Sequence, residues 1–410
     1  MANGVVAVLG TFDTKGREYA YLINAIKKAG AQVLTIDAGV KEPPFFPPDI
    51  TRERVAQAAN GNIAELVKKN DRGTAVECMM LGAEKVLSKL YTDGKINAVI
   101  SLGGTAGTTI GANAMKKLPI GFPKMLVSTV ASGNTRPYVG DKDIIMMNSV
   151  VDIAGINRIS STIITNAANA IAGMVTGPAM ETVEDKPLIT ATMFGVTTPC
   201  VTKAKEYLET AGYEVLVFHA TGSGGMAMES LVESGMISGV LDITTTEWCD
   251  ELVGGVLGAG PNRLDAAARN GIPQVVSVGA LDMVNFGPPD TVPDKFNGRT
   301  FYEHNATVTL MRTTKEESAK LGEIIGNKLS KSNGPCVLFL PLKGVSMIDA
   351  EGQPFYGPEE DGILFDALRN NCDKKKVRIV EKSMHINDDA FAIAMAKELI
   401  NLLNDNGGKD

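Results

Sequence analysis

Three short segments early in the chain crowd glycines, hydroxyls and one ammonium onto the ends of apolar runs. The first is Gly10-Thr11-Phe12-Asp13-Thr14-Lys15-Gly16. The second is Gly103-Gly104-Thr105-Ala106-Gly107-Thr108-Thr109, and the third is Ser128-Thr129-Val130-Ala131-Ser132-Gly133-Asn134-Thr135. Glycines remove side chains where a ligand can meet backbone N–H groups, and hydroxyls donate to anionic oxygens. Where such a segment opens a helix, the free N–H groups and partial positive charge of that helix end add to the attraction. Lys15 adds a point charge suited to a phosphate. Asp13 suits a magnesium ion or a ribose hydroxyl, and Thr11 or Asp13 equally suits the plain role of helix cap. The second segment is neither a Walker A loop nor G-x-G-x-x-G, because no Gly-Lys-Ser/Thr follows and its glycine spacing differs. Taken together, the three segments form a neutral, donor-rich cradle for phosphate oxygens, reading them by backbone and hydroxyl rather than by an Arg/Lys fork.

A second group lies further along. Gly222-x-Gly224-x-x-Ala227 fits a dinucleotide fingerprint, and Asp242 falls near the end of the next apolar run, where a ribose-binding acid belongs. His219, Asp242, Asp282, His304, Arg312 and Lys343 all lie close to the ends of candidate strands. Such a set can bind a carboxylate or phosphate and move protons. The same residue types also make ordinary caps and ion pairs. No Gly-x-Ser-x-Gly elbow and no His-Glu-x-x-His helix is present. The five cysteines are scattered without a C-x-x-C, so neither a zinc site nor a disulfide framework is expected. Cys249 has no histidine beside it in sequence and makes a poor nucleophile.

These residues need a scaffold that gathers strand ends. Short apolar strands alternate with amphipathic helices throughout, which predicts an α/β protein with mainly parallel sheets covered by helices. Candidate strands start at Val5, Gln32, Asn97, Pro123 and Ile144, and the pattern restarts at Leu188. Residues 52–69 read as one helical stretch and residues 151–175 as a long helix. "KEPPFFPPDI" is excluded from regular structure by its prolines. At 410 residues the chain is too long for one ordinary core. Two Rossmann-like domains are expected, over residues 1–180 and 187–405, with the boundary in "TGPAMETVEDKP". In such folds ligands sit beyond the carboxyl ends of the strands.

A net charge of -7 and the lack of a long Lys/Arg run argue against a nucleic-acid partner. No stretch is apolar enough to span a membrane. The start, "MANGVVAVLG", lacks the features of a signal peptide. A cytoplasmic location is the expectation.

Nine runs bring a family into view: "GTFDTKGREYAYL", "SLGGTAGTTI", "VSTVASGNTRPYVGDKDIIMM", "SVVDIAGINRIS", "FHATGSGGMAMESLV", "DITTTEWCDELVGGVLGAGPNRL", "GALDMVNFGPPDTVP", "HNATVTLMRTT" and "PLKGVSMIDAEGQPFY". In that order they resemble the uncharacterised protein family related to the amino-terminal region of the tomato mosaic virus resistance protein, an inhibitor of viral RNA replication. The resemblance spans nearly the whole chain. It implies two Rossmann-like domains, ATP held in the first, and a homodimer. The plant protein carries a further carboxy-terminal barrel that this chain, ending near Asp410, is expected to lack. That sets the antiviral role aside. On the family reading, Thr11, Asp13, Lys15, Gly103, Gly104, Thr105, Gly107, Thr108, Ser128, Thr129, Ser132 and Gly133 surround ATP, with magnesium as its companion.

Three functions compete at this point. The first is an ATP-binding protein using the first-domain loops. The second is an enzyme acting on a small carboxylate or phosphate compound at the interdomain cleft, drawing on His219, Asp242, Asp282, His304, Arg312 and Lys343. The third is an NAD-type enzyme using Gly222, Gly224 and Asp242.

Overall fold

The computed structural model describes residues 4–178 and 186–407. Most of the expected boundary segment lies outside the described residues. The chain divides into two compact units, Met1–Glu181 and Thr182–Asp410.

The first unit runs β1 (Val5–Gly10), α1 (Gly16–Lys28), β2 (Gln32–Asp37), α2 (Arg52–Ala58), α3 (Ile63–Lys69), α4 (Arg72–Thr92), β3 (Ala98–Gly103), α5 (Thr105–Lys116), β4 (Lys124–Ser128), α6 (Arg136–Val139), β5 (Ile145–Asn148) and α7 (Arg158–Thr176). Its five strands are all parallel, in the order β2-β1-β3-β4-β5. The central strands are buried on both faces. Ala7, Leu9 and Val99 pack towards α2, α4 and α5, whereas Val6, Val8 and Ile100 pack towards α1 and α7. Two faces to cover is why these strands read as continuous apolar runs.

The strand order reverses between β1 and β3, so their connections leave in opposite directions and a crevice opens at their carboxyl ends. Tyr19 of α1 fills the base of that crevice. Its hydroxyl lies 3.0 Å from the Leu9 carbonyl and 2.6 Å from that of Leu102, and it accepts the Leu102 N–H at 3.0 Å. Backbone groups that the parting strands would otherwise leave unpaired are thus satisfied. Gly10 is required there: a Cβ on it would fall 1.9 Å from the Tyr19 ring.

Two helical expectations are revised. Residues 52–69 form two helices, because Asn60 adopts φ 60° and the Asn62 side chain caps a fresh start by accepting from the Ala64 and Glu65 N–H groups. The long helix begins at Arg158 rather than near Val151, because Asn157 and Ser160 form a reciprocal capping box. The preceding loop holds Val150 at φ 62°, 70% exposed. For a β-branched residue that conformation costs on the order of 1–3 kcal/mol.

The second unit runs β6 (Leu188–Met193), α8 (Thr198–Thr210), β7 (Glu214–His219), α9 (Ser223–Glu233), β8 (Ile237–Thr244), α10 (Glu247–Val253), α11 (Ala266–Asn270), β9 (Gln274–Gly279), β10 (Met283–Phe286), β11 (Phe301–Asn305), β12 (Val308–Arg312), α12 (Lys315–Leu329), β13 (Cys336–Pro341), α13 (Pro358–Asn371), β14 (Val377–Lys382) and α14 (Asp389–Gly407). Six parallel strands follow the order β14-β13-β9-β8-β6-β7. A separate antiparallel sheet, β10-β12-β11, was not foreseen. It places His304 within a strand rather than in a strand-end loop. The chain's one tryptophan, Trp248, is buried on α10 with the Lys328 ammonium 5.0 Å from its ring centroid. Among the described residues no helix is long and apolar enough to cross a membrane.

Candidate functional site

A cavity of about 680 Å³ occupies the β1/β3 crevice of the first unit, within the range typical of small-molecule sites. Its polar end is made by Thr11, Asp13, Thr14 and Lys15 after β1 and by Gly103 to Gly107 after β3. Helix α5 starts there without a side-chain cap, and its first backbone bond runs from the Thr108 N–H to the Gly104 carbonyl. The N–H groups of Thr105, Ala106 and Gly107 precede that bond, and all three residues line the cavity. Gly104 has φ −76°, which any residue can adopt, and the nearest atom to a Cβ on it would be Thr129 Oγ1 at 3.8 Å. The space beside Gly104 is open. Gly103 and Gly111 differ, because a Cβ on either would meet Gly107 Cα at 3.0 Å or Ser101 Oγ at 2.8 Å. Those two glycines let the helix pack closely on its strand.

The opposite wall is apolar: Leu66 and Val67 of α3, Ala75, Val76 and Met79 of α4, and Ile110 of α5. Lys41, Glu42, Asn70, Asp71, Arg72 and Asp152 also line the cavity. Asp13 acts as a clasp between two loops. One carboxylate oxygen accepts the Thr14 N–H, and the other accepts those of Val40, Lys41 and Glu42 at 3.1, 2.8 and 3.4 Å. The Lys15 ammonium donates to the Ile153 carbonyl. Beside this loop, buried Asp37 accepts from the Phe12 and Gly39 N–H groups with one oxygen and has no partner for the other. Burial, reinforced by the nearby Asp13 charge, pushes its carboxyl up to about 6.

Of the expected cradle residues, Thr11, Asp13, Lys15, Gly103, Gly104, Thr105 and Gly107 line the cavity, and Thr108, Ser128, Thr129, Ser132 and Gly133 do not. Thr108 and Ser128 are buried and bond to each other at 2.7 Å, which ties α5 to β4 and leaves neither hydroxyl facing a ligand. Ser132 and Gly133 are exposed in the turn after β4. Thr129 stands next to Gly104 without lining the cavity. The third segment therefore supports the crevice rather than forming its wall.

In the second unit the glycine loop is already filled. Glu247 accepts the Gly222 and Gly225 N–H groups at 2.7 and 3.1 Å with one oxygen, while its other oxygen meets Arg263 Nε at 2.7 Å. A Cβ on Gly224 would lie 1.8 Å from the His219 carbonyl oxygen. Asp242, expected to hold a ribose, takes two bonds from Arg263 at 2.5 and 2.7 Å and one from the Thr192 hydroxyl at 2.7 Å. Arg263 is 1% exposed and also meets Glu229. The anion that this helix end would attract is the chain's own carboxylate. The dinucleotide reading of Gly222, Gly224 and Asp242 is corrected accordingly.

The other second-unit candidates do not gather into one site. His219, His304 and Lys343 are exposed. Asp282 and Arg312 share a buried cluster with Asp349 and Asp361. Arg312 donates to Asp361 at 3.1 Å and lies 3.6 Å from Asp349, while Asp282 accepts the Ser346 hydroxyl at 2.7 Å and has an unpartnered second oxygen. Burial, reinforced by Asp349, raises Asp282 to about 7 and Asp361 to about 9. Among the described residues no group of three or more His, Cys, Asp or Glu side chains is placed to hold a metal.

Residues 4–180 match the N-terminal domain, and residues 186–403 the C-terminal domain, of the Uncharacterised protein family (UPF0261). The chain belongs to UPF0261. It is 58% identical over 401 residues to the UPF0261 protein of Clostridium tetani, covering 98% of this chain and 99% of that one. It is 41% identical to the ToMV resistance protein Tm-1(GCR237) of Solanum lycopersicum over 97% of this chain and 55% of the tomato protein. Among solved structures, a Methanocaldococcus jannaschii UDP-GlcNAc 2-epimerase aligns over 97% of this chain and 92% of that one, at 10% identity and a TM-score of 0.23.

Several features of this UPF0261 chain escaped the sequence. The α3/α4 wall carries no mark, because Leu66 and Met79 have the spacing of ordinary core residues. The β2 exit is irregular, as its prolines dictate, but nothing in its composition marks Val40 to Glu42 as lining the site. Arg263 sits in "GPNRL", far in sequence from every partner, and nothing local singles it out.

Proposed function

We propose that the first unit of this UPF0261 protein binds a nucleotide in the β1/β3 crevice, with ATP as the ligand implied by the family resemblance. The reading rests above all on one observation: the start of α5, which has no side-chain cap, opens at Gly104 onto the crevice cavity. An anionic group at that helix end meets free N–H groups and a favourable dipole. The Thr11 hydroxyl adds a donor. The Lys15 ammonium, now on the Ile153 carbonyl, lies within the same lining. The apolar α3/α4 wall suits a base. Magnesium, if used, would arrive with the phosphates rather than occupy a protein cage, since three of the four carboxylates lining the cavity are partly engaged: Asp13 by four N–H groups, Asp71 by capping α4, and Asp152 by the Ile153 N–H. Self-association into a homodimer is a separate proposal, open to test by light scattering.

The experiment is calorimetric titration of the nucleotide-stripped full chain with ATP and magnesium, in wild type and Gly104→Val. Micromolar binding that is lost in the variant, with its melting temperature unchanged, is the expected result. No binding by wild type, or equal binding by both proteins, would overturn the proposal.

A further inference from the structure

We infer that the crevice selects for the phosphate chain and is nearly blind to the identity of the base. This rests on the nucleotide reading above. Distinguishing one purine from another requires donors and acceptors aimed at the ring edge. Along the apolar wall of the cavity most of those groups are already taken.

That wall is mostly helical. Leu66 and Val67 belong to α3, and Ala75, Val76 and Met79 to α4. Inside a helix each backbone N–H and C=O is bonded within the helix, so these residues present aliphatic and thioether surface alone. At the turn between the two helices, the Asn70 N–H bonds to the Leu66 and Val67 carbonyls at 3.2 Å, and Asp71 accepts the Gly73 N–H at 3.0 Å.

The β2 exit, which Asp13 ties to the polar end, also lines the cavity, and its donors are engaged. The Ala38 N–H bonds to the Gly10 carbonyl at 2.7 Å, that of Gly39 to Asp37 at 2.8 Å, and those of Val40, Lys41 and Glu42 to Asp13. The Val40 and Glu42 carbonyls face Arg52. What remains is the Asn70 side chain and the first-turn N–H of Arg72, with Lys41, Glu42 and Arg72 as exposed chains that lose rotamer freedom when held in one place. The opposite end of the cavity presents the first-turn N–H groups of α5, the Thr11 hydroxyl and the Lys15 ammonium. Discrimination follows the fixed polar groups. A site built to hydrogen-bond a group rejects its absence far more strongly than an apolar wall rejects an altered ring.

The test is calorimetry on the full chain with ATP, GTP and adenosine, magnesium being present throughout. ATP and GTP should agree within about tenfold, and adenosine should be weaker than ATP by more than about tenfold. A larger ATP preference, or adenosine binding close to that of ATP, overturns base-blindness while leaving nucleotide binding in place. Binding of none of the three overturns both. Asn70→Ala is the second arm. An unchanged ATP-to-GTP ratio is expected, and a ratio shifted by more than about tenfold would make Asn70 a base reader and sink the inference.

Discussion

Each unit starts a helix behind a glycine-rich strand exit, and the two helix ends have opposite fates. At Gly104 the helix opens into empty space, and at Gly222 the same kind of opening is closed by Glu247. The glycine pattern marks a place where backbone N–H groups are left free to meet an anion. Whether that anion is a ligand or a side chain depends on residues elsewhere, here a carboxylate on α10 held in turn by Arg263.

The sharpest way to break this comparison is to add bulk at both places. Gly104→Val enters open space, so triphosphate binding should disappear while thermal stability is kept. Gly224→Val drives a side chain into the His219 carbonyl and should prevent the second unit from folding, as read by circular dichroism and protease resistance. Equal losses of stability would mean that the two glycines do the same job.

Next in size is removal of the internal anion. Glu247→Ala strips the start of α9 and leaves Arg263 with one partner fewer. Breaking a buried pair in this way costs about 3–5 kcal/mol, measurable by urea denaturation. Low millimolar phosphate should restore part of the loss if the vacated helix end behaves like the one at Gly104.

Titration offers a third contrast. Burial raises Asp250 and Asp282 to about 7 and Asp361 to about 9 in the second unit, against about 6 for Asp37 in the first. Each acid keeps its proton to higher pH when folded than when unfolded, so the stability it gives is full below about pH 4 and is lost as pH climbs through the raised value. The second unit should therefore weaken up to about pH 9 and the first only to about 6, with an effect on the order of a few kcal/mol. Melting curves against pH would read this, and Asp282→Asn should flatten part of the second unit's decline. A second unit that gains stability across that range would refute it.

The smallest effect concerns the hydroxyls that miss the cavity. Thr108→Val removes the bond to Ser128 and should cost about 1 kcal/mol of stability, with ATP affinity unchanged. A matching loss of affinity would put Thr108 back among the ligand contacts.

Much of this was legible in the sequence. Short apolar runs located the strands, and the parallel architecture followed from their alternation with amphipathic helices. The polar half of the crevice was also visible, because Thr11, Lys15 and the Gly103–Gly107 segment are adjacent to those strand ends. Three things were not. Thr108 looked like a donor because composition reports a hydroxyl but not its direction, and one turn along α5 it points at Ser128. The apolar half is built from helix positions whose periodicity is the same whether they face a core or a void. The filling of the Gly222 loop depends on Glu247 and Arg263, whose meeting is a product of the fold and has no local signature.

The placement of Trp248 has a spectroscopic consequence. With one indole in the chain, buried in the second unit and close to an ammonium, tryptophan emission is a built-in signal for the unfolding of that unit. Denaturation would move the indole from its packed setting beside Lys328 into water, a change of colour readable without a label.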